Sequence, residues 1–209
     1  MLRGLSVIFA MLAVPVQAHP HLFVDAEVAL VYEGETLRAV RLTWTYDAFF
    51  SLMLTEDLGL DSDMDGQLSE AELETLSAAV LDWPDGYEGD LYVTQEGQPV
   101  QLGARQDASV TFEEEQVIES HTRPVTSAAP GGATVKVYDP GYYTAYSVVR
   151  PVAVKGSATC GARVARADLI AATEKVDELL YGMPQDQAEA QFPQVGEDFA
   201  DTIRVTCGG

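Results

Sequence analysis

Residues 22–46, LFVDAEVALVYEGETLRAVRLTWTY, decide the fold that we predict for this chain. Apolar and polar residues alternate over 22–32 and again over 36–46, which is the period of a strand with one buried face. The polar residues EGE between the two runs are typical of a short turn. The stretch therefore predicts a β-hairpin at the start of a β-rich domain.

The period changes directly after the hairpin. Residues 47–58, DAFFSLMLTEDL, carry apolar residues at helical spacing, and Asp47 is suited to cap the helix. Residues 69–81 predict a second helix, because Ser69 and Glu72 have the spacing of a capping box. The breaker WPDG follows at 83–86. We therefore predict a helix–loop–helix insertion at about residues 47–83.

Short strands separated by turn residues return beyond the insertion, a pattern typical of a sandwich or a partly closed barrel. The predicted strands are 90–95, 99–102, 108–112, 116–122, 134–138 and 145–154. A C-terminal helix within 165–181 and a closing strand at 201–207 complete the pattern. The expected fold is mainly β, and α+β overall, in a single domain that spans residues 19–209.

The first eighteen residues, MLRGLSVIFAMLAVPVQA, have the pattern of a secretory signal peptide. Arg3 is followed by an apolar run, and Val16 and Ala18 form a small-x-small cleavage site. We expect cleavage after Ala18, so that His19 becomes the first residue of the mature protein. No other apolar stretch approaches the length of a membrane span, so we expect a periplasmic or secreted protein without one after cleavage.

The chain has two cysteines, Cys160 and Cys207. An even number in an exported chain favours a disulfide, which would join the last strand to the body of the domain. The alternative is two buried free thiols.

The composition is strongly acidic, with 33 carboxylates against 12 lysines and arginines and a formal net charge of −21. Such a surface repels nucleic acid and attracts cations. We therefore expect no nucleic-acid partner. Charge alone does not choose between a cation-binding role and a surface that only keeps the protein soluble.

The predicted loop, DSDMDGQLSEAE at 61–72, matches the twelve-residue pattern of an EF-hand calcium loop. Its glycine at position 6 allows the sharp turn, and its other key positions supply the oxygens that calcium prefers. The predicted calcium ligands are Asp61, Asp63, Asp65, Gln67, Ser69 and Glu72. Leu68 would anchor the loop to the apolar core. The alternative is a solvated acidic loop without an ion.

The role of a calcium ion in this loop is open between two hypotheses. EF-hands that act as switches normally occur in pairs, and this chain has one such loop. A permanent structural clip is therefore favoured over a switch. The clip also has an electrostatic reason, because crowded carboxylates repel one another unless a divalent ion lies among them.

The three histidines suggest a second metal site. His19 would offer its free amine and its imidazole to a borderline metal such as copper, nickel or zinc. Pro20 lacks an amide hydrogen, which rules out a square-planar site built from the amino-terminal backbone amides. His21 and His121 could complete the ligand set; alternatively, the histidines belong to a polar tail and an ordinary strand.

Several motifs together resemble a known family of exported bacterial proteins. They are AHPHLFV at 18–24, TWTYDAFFS at 43–51, Gly196-x-x-Phe199-Ala200 and Cys207. The family is an uncharacterised "domain of unknown function", labelled the periplasmic component of an ABC-type uncharacterised transport system and associated with NicO-type nickel/cobalt transporters. The resemblance implies a role in metal handling or transport with a separate inner-membrane permease, and it favours His19 and His21 as ligands.

The sequence lacks the motifs of a nucleophile elbow, an HExxH metal site or a phosphate loop, so we expect no catalytic residues and no enzyme activity. The first functional hypothesis is a periplasmic calcium-binding accessory protein for transport or homeostasis of nickel, cobalt, zinc or copper. The alternative is a structural exported domain in which calcium is only a folding clip.

Overall fold

The computed structural model of the chain describes residues 20–149, 151–184, 187–188 and 192–208. The predicted signal peptide and His19 lie outside the described residues. The strands are β1 Leu22–Glu33, β2 Thr36–Tyr46, β3 Leu91–Gln95, β4 Gln98–Pro99, β5 Gln106–Glu113, β6 Gln116–Pro124, β7 Thr134–Val137, β8 Thr144–Val148, β9 Ala153–Lys155, β10 Cys160–Ala165 and β11 Thr202–Cys207. The helices are α1 Ala48–Asp57, α2 Glu70–Leu81 and α3 Leu169–Leu180, with a 3₁₀ turn at Gly196–Phe199.

The strands form two sheets. The first has the order β5-β6-β2-β1-β8, and β9 pairs with the same strand β1 further along. The second has the order β10-β11-β7-β3-β4. The pairs within the second sheet are antiparallel, whereas β8 and β9 run parallel to β1.

The predicted hairpin is confirmed as β1 and β2, which are antiparallel. In β1 the odd positions are outward and the even positions are buried, so the alternation seen in the sequence is the alternation of the two sheet faces. Leu30, Leu37 and Leu42 have no exposed surface. This face of the hairpin supplies one side of the main apolar core.

The second sheet supplies the other side of that core through buried residues of β3, β7 and β11, such as Val93, Val135 and Ile203. The core therefore lies between two sheets, and the described strands form no closed barrel. The predicted fold class is confirmed: the structure is mainly β and α+β overall, with a C-terminal helix.

The strands of the C-terminal half differ from the prediction in two places. Residues 145–154 are not one strand: β8 ends at Val148 and β9 begins at Ala153, and Pro151, which lacks an amide hydrogen for strand pairing, lies before β9. The strand β10 was missed, whereas the predicted helix within 165–181 is confirmed as α3. Asp168 stops the helix from starting earlier, since its side chain accepts a hydrogen bond from the Ala171 amide.

The predicted disulfide is confirmed between Cys160 and Cys207. These two residues face each other in the register of β10 and β11, so the bond joins neighbouring strands. The two cysteines are separated by 47 positions in the sequence, and the loop that the bond closes contains α3. A disulfide fits an oxidising compartment such as the periplasm or the cell exterior.

Gly196 explains one of the sequence motifs. Its amide donates to the Pro140 carbonyl at 3.0 Å, and a Cβ at this position would clash with the Asp139 carbonyl oxygen. Phe199 then stacks on Tyr142 with ring centroids 3.8 Å apart. The motif therefore fixes the 3₁₀ turn against the loop before β8.

Within the described ranges, none of the helices is both long and apolar enough to cross a membrane.

Candidate metal centre

The acidic loop lies between two helices whose N-terminal ends are capped by side chains. Asp47 caps α1 by accepting from the Phe50 amide at 2.9 Å. Ser69 caps α2, and the predicted capping box is present in both directions: the Glu72 amide donates to the Ser69 hydroxyl at 3.4 Å, and the Ser69 amide donates to Glu72 Oε2 at 2.9 Å. The helix–loop–helix that the sequence predicts is therefore formed, between β2 and β3.

Asp61 organises the backbone of the loop. Its two carboxylate oxygens accept from the Asp65 amide at 3.0 Å and the Gly66 amide at 3.2 Å. Gly66 has a φ of +76°, which favours glycine, and the chain reverses there as predicted. These contacts fold the loop back over the side chain of its first residue.

The fold brings three of the predicted ligands together. Each of Asp61, Asp63 and Asp65 offers a carboxylate oxygen within 4.8 Å of the others, the one such group of metal-binding side chains among the described residues. A cation with oxygen ligands at about 2.3–2.6 Å has opposite ligands about 5 Å apart, so the three oxygens can share one calcium ion. Asp63 and Asp65 are exposed, and the cluster is open to solvent.

Glu72 lies beside this group but faces other partners. Its Oε1 accepts from the Asp61 amide at 3.0 Å, and its Oε2 accepts from the Ser69 hydroxyl at 2.6 Å. The hydrogen bonds from Ser69 hold the pKa of Glu72 below its usual value. The carboxylate therefore stays anionic, but it must give up its bond to the Ser69 hydroxyl before both oxygens can reach a metal.

Gln67 and Ser69 occupy supporting positions. The Gln67 amide donates to Asp65 Oδ1 at 2.8 Å, and the Ser69 hydroxyl is bonded to Glu72. These contacts place both residues at the rim of the aspartate group. Their predicted roles, a carbonyl ligand and the holder of a water ligand, stay predictions.

Apolar residues fix the loop to the sheet. Leu60 and Leu76 are buried with Val110 of β5 and Val117 of β6, and Leu68 packs against this second, smaller core. The predicted anchoring by Leu68 is confirmed. Asp63 and Asp65 are thus exposed at the end of a loop that is packed on the sheet.

One further carboxylate lies near the loop and has no local signal in the sequence. Glu115 lies in the turn between β5 and β6, and its Oε1 is 3.4 Å from the position that a Cβ on Gly66 would take. The contact joins residues 49 positions apart, so only the packing of the insertion on the β5–β6 hairpin could reveal it. Glu115 adds a negative charge to the edge of the loop.

The two described histidines are not brought together. His21 is exposed and stacks on Tyr143, with ring centroids 4.9 Å apart, whereas His121 has no exposed surface. His121 pairs with Leu42, and Leu42 pairs with Val28, which is six residues and therefore about 20 Å along β1 from Leu22. A single ion cannot bridge His21 and His121 in this fold.

His121 belongs instead to a row of ionisable residues on the inward face of β6. Glu119, His121 and Arg123 are at most 4% exposed, and they alternate with outward-facing neighbours. His121 Nδ1 lies 3.2 Å from Glu119 Oε1, and the Tyr46 hydroxyl donates to Glu119 Oε2 at 3.2 Å. The sequence contains the signal, since ESHTR puts three ionisable residues at alternate positions of a strand, but charge usually indicates an outward face.

Aromatic rings from the neighbouring strand β2 and from the segment after α2 surround His121. Trp44 and Trp83 each contact the His121 ring edge-on, at centroid distances of 4.8 and 4.9 Å. Arg105 covers the Trp83 ring at 4.0 Å and lies 3.7 Å from Glu119 Oε1. We call Glu119, His121, Trp44, Trp83 and Arg105 the buried cluster.

The carboxylate of Asp90 lies in a third kind of environment, different from those of the aspartate loop and of the buried cluster. The hydroxyls of Tyr87 and Tyr146 donate to its Oδ2 at 2.9 and 2.8 Å. Burial nevertheless raises the pKa of Asp90 to about 6, because removal from water disfavours the charged form more than the two hydrogen bonds favour it. Burial and the nearby carboxylate also raise the pKa of both tyrosines.

The chain belongs to a family described as "Protein of unknown function (DUF1007)", whose model matches residues 4–207. The match confirms that the resemblance noted in the sequence is to a family of unknown function and that it covers nearly the whole chain. Among curated proteins, none matches this chain. The transport labels attached to the resemblance stay predictions.

Proposed function

We propose that this protein is an exported, non-enzymatic calcium-binding protein. One observation carries the proposal: oxygens of Asp61, Asp63 and Asp65 lie within 4.8 Å of one another, in a loop framed by two capped helices. Carboxylate oxygens at this spacing suit a hard divalent cation. The EF-hand pattern adds Gln67, Ser69 and Glu72 as further ligands.

Binding would exchange one set of contacts for another. Glu72 is now bonded to the Ser69 hydroxyl, and a small turn of its side chain would direct its oxygens to the ion instead. The Ser69 amide and the Asp61 amide can keep their bonds to the outer lone pairs of the same carboxylate. The ion would replace the mutual repulsion of four carboxylates with attraction to one double charge.

The experiment is calcium calorimetry on the wild type, on Glu72→Gln and on Glu74→Gln. Glu74 is exposed on the same helix and lies outside the ligand pattern, so it controls for loss of one negative charge. We expect one calcium per chain in the wild type and in Glu74→Gln, and a loss of binding of at least about tenfold in Glu72→Gln. Equal affinity in all three proteins would refute the assignment.

We further propose that the protein assists transport or homeostasis of a transition metal, with a separate inner-membrane permease as partner. The support is the family resemblance, the acidic surface and the His19-Pro20-His21 start of the predicted mature chain. The exposure of His21 is compatible with metal exchange, while His121 is sealed in the core. The proposed cargo site therefore consists of the His19 amine and imidazole with His21.

Titration of nickel, cobalt, copper and zinc into protein that begins at His19 tests the cargo site. Tight binding should disappear when a tag precedes His19 or when His19 is replaced by alanine. His121→Asn is the control variant, because His121 lies outside the proposed cargo site. The folded fraction of this variant should bind the metals with the affinity of the wild type. Binding that survives the tag would place the site elsewhere.

The second candidate is a structural domain in which calcium is only a clip. The packing of Leu60, Leu68 and Leu76 on β5 and β6 favours it, because an ion in the loop would stiffen this smaller core. In that case calcium raises the melting temperature, and the transition metals do not bind.

A further inference from the structure

Helix α1 buries polar side chains and exposes apolar ones. Ser51 is fully buried and Thr55 is 5% exposed, whereas Phe49 is 69%, Leu52 55% and Met53 43% exposed. An amphipathic helix on a protein surface normally has the opposite arrangement. The outward face of α1 therefore needs an explanation.

The inward face docks α1 on the sheet without using those apolar residues. The Ser51 hydroxyl accepts from the Val117 amide of β6 at 3.0 Å, and the Thr55 hydroxyl donates to carbonyls one turn back in α1. Phe50 stacks on Tyr46, with ring centroids 5.4 Å apart, and Leu54 packs on the smaller core. These contacts hold the inward face of α1 on the sheet.

The exposed face continues onto β1. Phe23 is 55% exposed, its amide donates to Asp47 Oδ2 at 2.9 Å, and its carbonyl accepts from the Asp47 amide at 2.9 Å. Since Asp47 caps α1, Phe23 lies next to the first turn of the helix. We call Phe23, Phe49, Leu52 and Met53 the α1 surface. Contiguous exposed apolar side chains of this kind mark interaction sites.

The segment that carries Phe49, Leu52 and Met53 is strongly acidic. Residues 47–83 contain six aspartates and four glutamates and no lysine or arginine. Glu56 and Asp57 are exposed one turn beyond Met53, and the aspartate loop follows. The basic residues of the hairpin are remote: Arg41 pairs with Ala29, six residues and about 20 Å along β1 from Phe23.

We propose that the α1 surface is the docking site for a basic amphipathic helical segment of another polypeptide. The apolar side chains of that segment would cover Phe49, Leu52 and Met53, and its lysines and arginines would meet the surrounding carboxylates. Exposed apolar anchors within a charged rim are the usual anatomy of such recognition. Met53 can adapt its shape to more than one apolar partner.

Charge argues against the other occupants. A second copy would bring the same ten carboxylates of residues 47–83 to the contact and would be repelled. A membrane with anionic headgroups would be repelled as well. The proposal stands whether or not the aspartate loop binds calcium.

The test uses a synthetic helical peptide of leucine and lysine, with leucines on one face, and a scrambled peptide of the same composition. Each is titrated into the wild type, into Leu52→Gln/Met53→Gln and into Leu169→Gln/Ile170→Gln. The last variant is the matched control, because Leu169 and Ile170 are exposed apolar residues of α3, at 58% and 75%. Circular dichroism and melting show that the folds are equal.

The expected result is binding of the patterned peptide that Leu52→Gln/Met53→Gln weakens by at least about tenfold and that the α3 variant leaves unchanged. Three results overturn the proposal: no binding of the peptide, equal binding of the scrambled peptide, or equal weakening in both variants. It is also overturned if sedimentation shows a dimer that Leu52→Gln/Met53→Gln dissociates, or if the protein binds phosphatidylcholine vesicles through this face.

Discussion

The aspartate loop and the buried cluster are two concentrations of charge that the fold treats in opposite ways. Asp63 and Asp65 lie in water and face other carboxylates, whereas Glu119 and His121 have no exposed surface and face partners of complementary character. In the loop the like charges are left for an external cation. In the cluster Glu119 is paired with His121 and Arg105 within the chain, so the first region is suited to bind an ion and the second to hold β6 against the segments that carry Trp83 and Arg105.

The largest effect is expected from breaking the buried cluster. Glu119→Ala leaves His121 and Arg105 without their carboxylate partner and should lower the free energy of unfolding by about 3–5 kcal/mol. Denaturant titration measures the change. Thr122→Ala, at a neighbouring outward position of β6, should change stability by less than about 0.5 kcal/mol. A cost for Glu119→Ala as small as the control would contradict the internal compensation.

Asp90 gives a pH-dependent test of the same region. The pKa of Asp90 in the folded state is about 6, above its usual value of 3.8, so the folded state binds the proton more tightly than the unfolded state does. As pH rises from about 4 to about 6, the carboxyl group ionises and the folded state loses stability. Asp90→Asn removes this penalty. Its stability relative to the wild type should increase by about 3 kcal/mol between about pH 3.5 and pH 7.5. Parallel pH profiles for the two proteins would show that the burial of Asp90 does not have this cost.

Calcium should stabilise the chain by an intermediate amount. At a calcium concentration about a hundred times the dissociation constant, binding to the folded state alone raises the free energy of unfolding by about 2.7 kcal/mol. Thermal melting with calcium and with a chelator measures the difference, and magnesium provides a control cation. Melting curves that coincide in calcium and chelator would mean that the loop does not bind the ion.

The smallest effect concerns the loop without an ion. Asp63→Asn removes one of three neighbouring negative charges, so it should raise the melting temperature in chelator by an amount on the order of 1 °C. In calcium the same variant should melt below the wild type, because a charged ligand is missing. The difference in melting temperature between the variant and the wild type should therefore be positive in chelator and negative in calcium. A difference of the same sign in both conditions would contradict the role of Asp63 as a calcium ligand.

The sequence predicted the regions whose local signals agree with their burial. The hairpin alternates with the sheet faces, Asp47 and Ser69 cap the helices they precede, and the loop glycine lies where the chain reverses. Local pattern was sufficient there because turns, caps and strand faces depend on neighbouring residues. The disulfide was predicted from the count of cysteines and the expected export.

Sequence failed where distant residues decide the outcome. The charged face of β6 is buried because Trp44, Trp83 and Arg105 arrive from other parts of the chain. β8 and β9 both pair in parallel with β1, a register that no local alternation records. For the same reason, the positions of the histidines in the sequence could not show that His21 and His121 lie far apart in the fold.

A high-resolution crystal structure of the protein soaked in calcium tests the central claim most directly. We predict one ion within about 2.3–2.6 Å of oxygens from Asp61, Asp63 and Asp65, with Glu72 turned from the Ser69 hydroxyl to the metal. A loop without the ion, or with Glu72 still bonded to Ser69, would contradict the account.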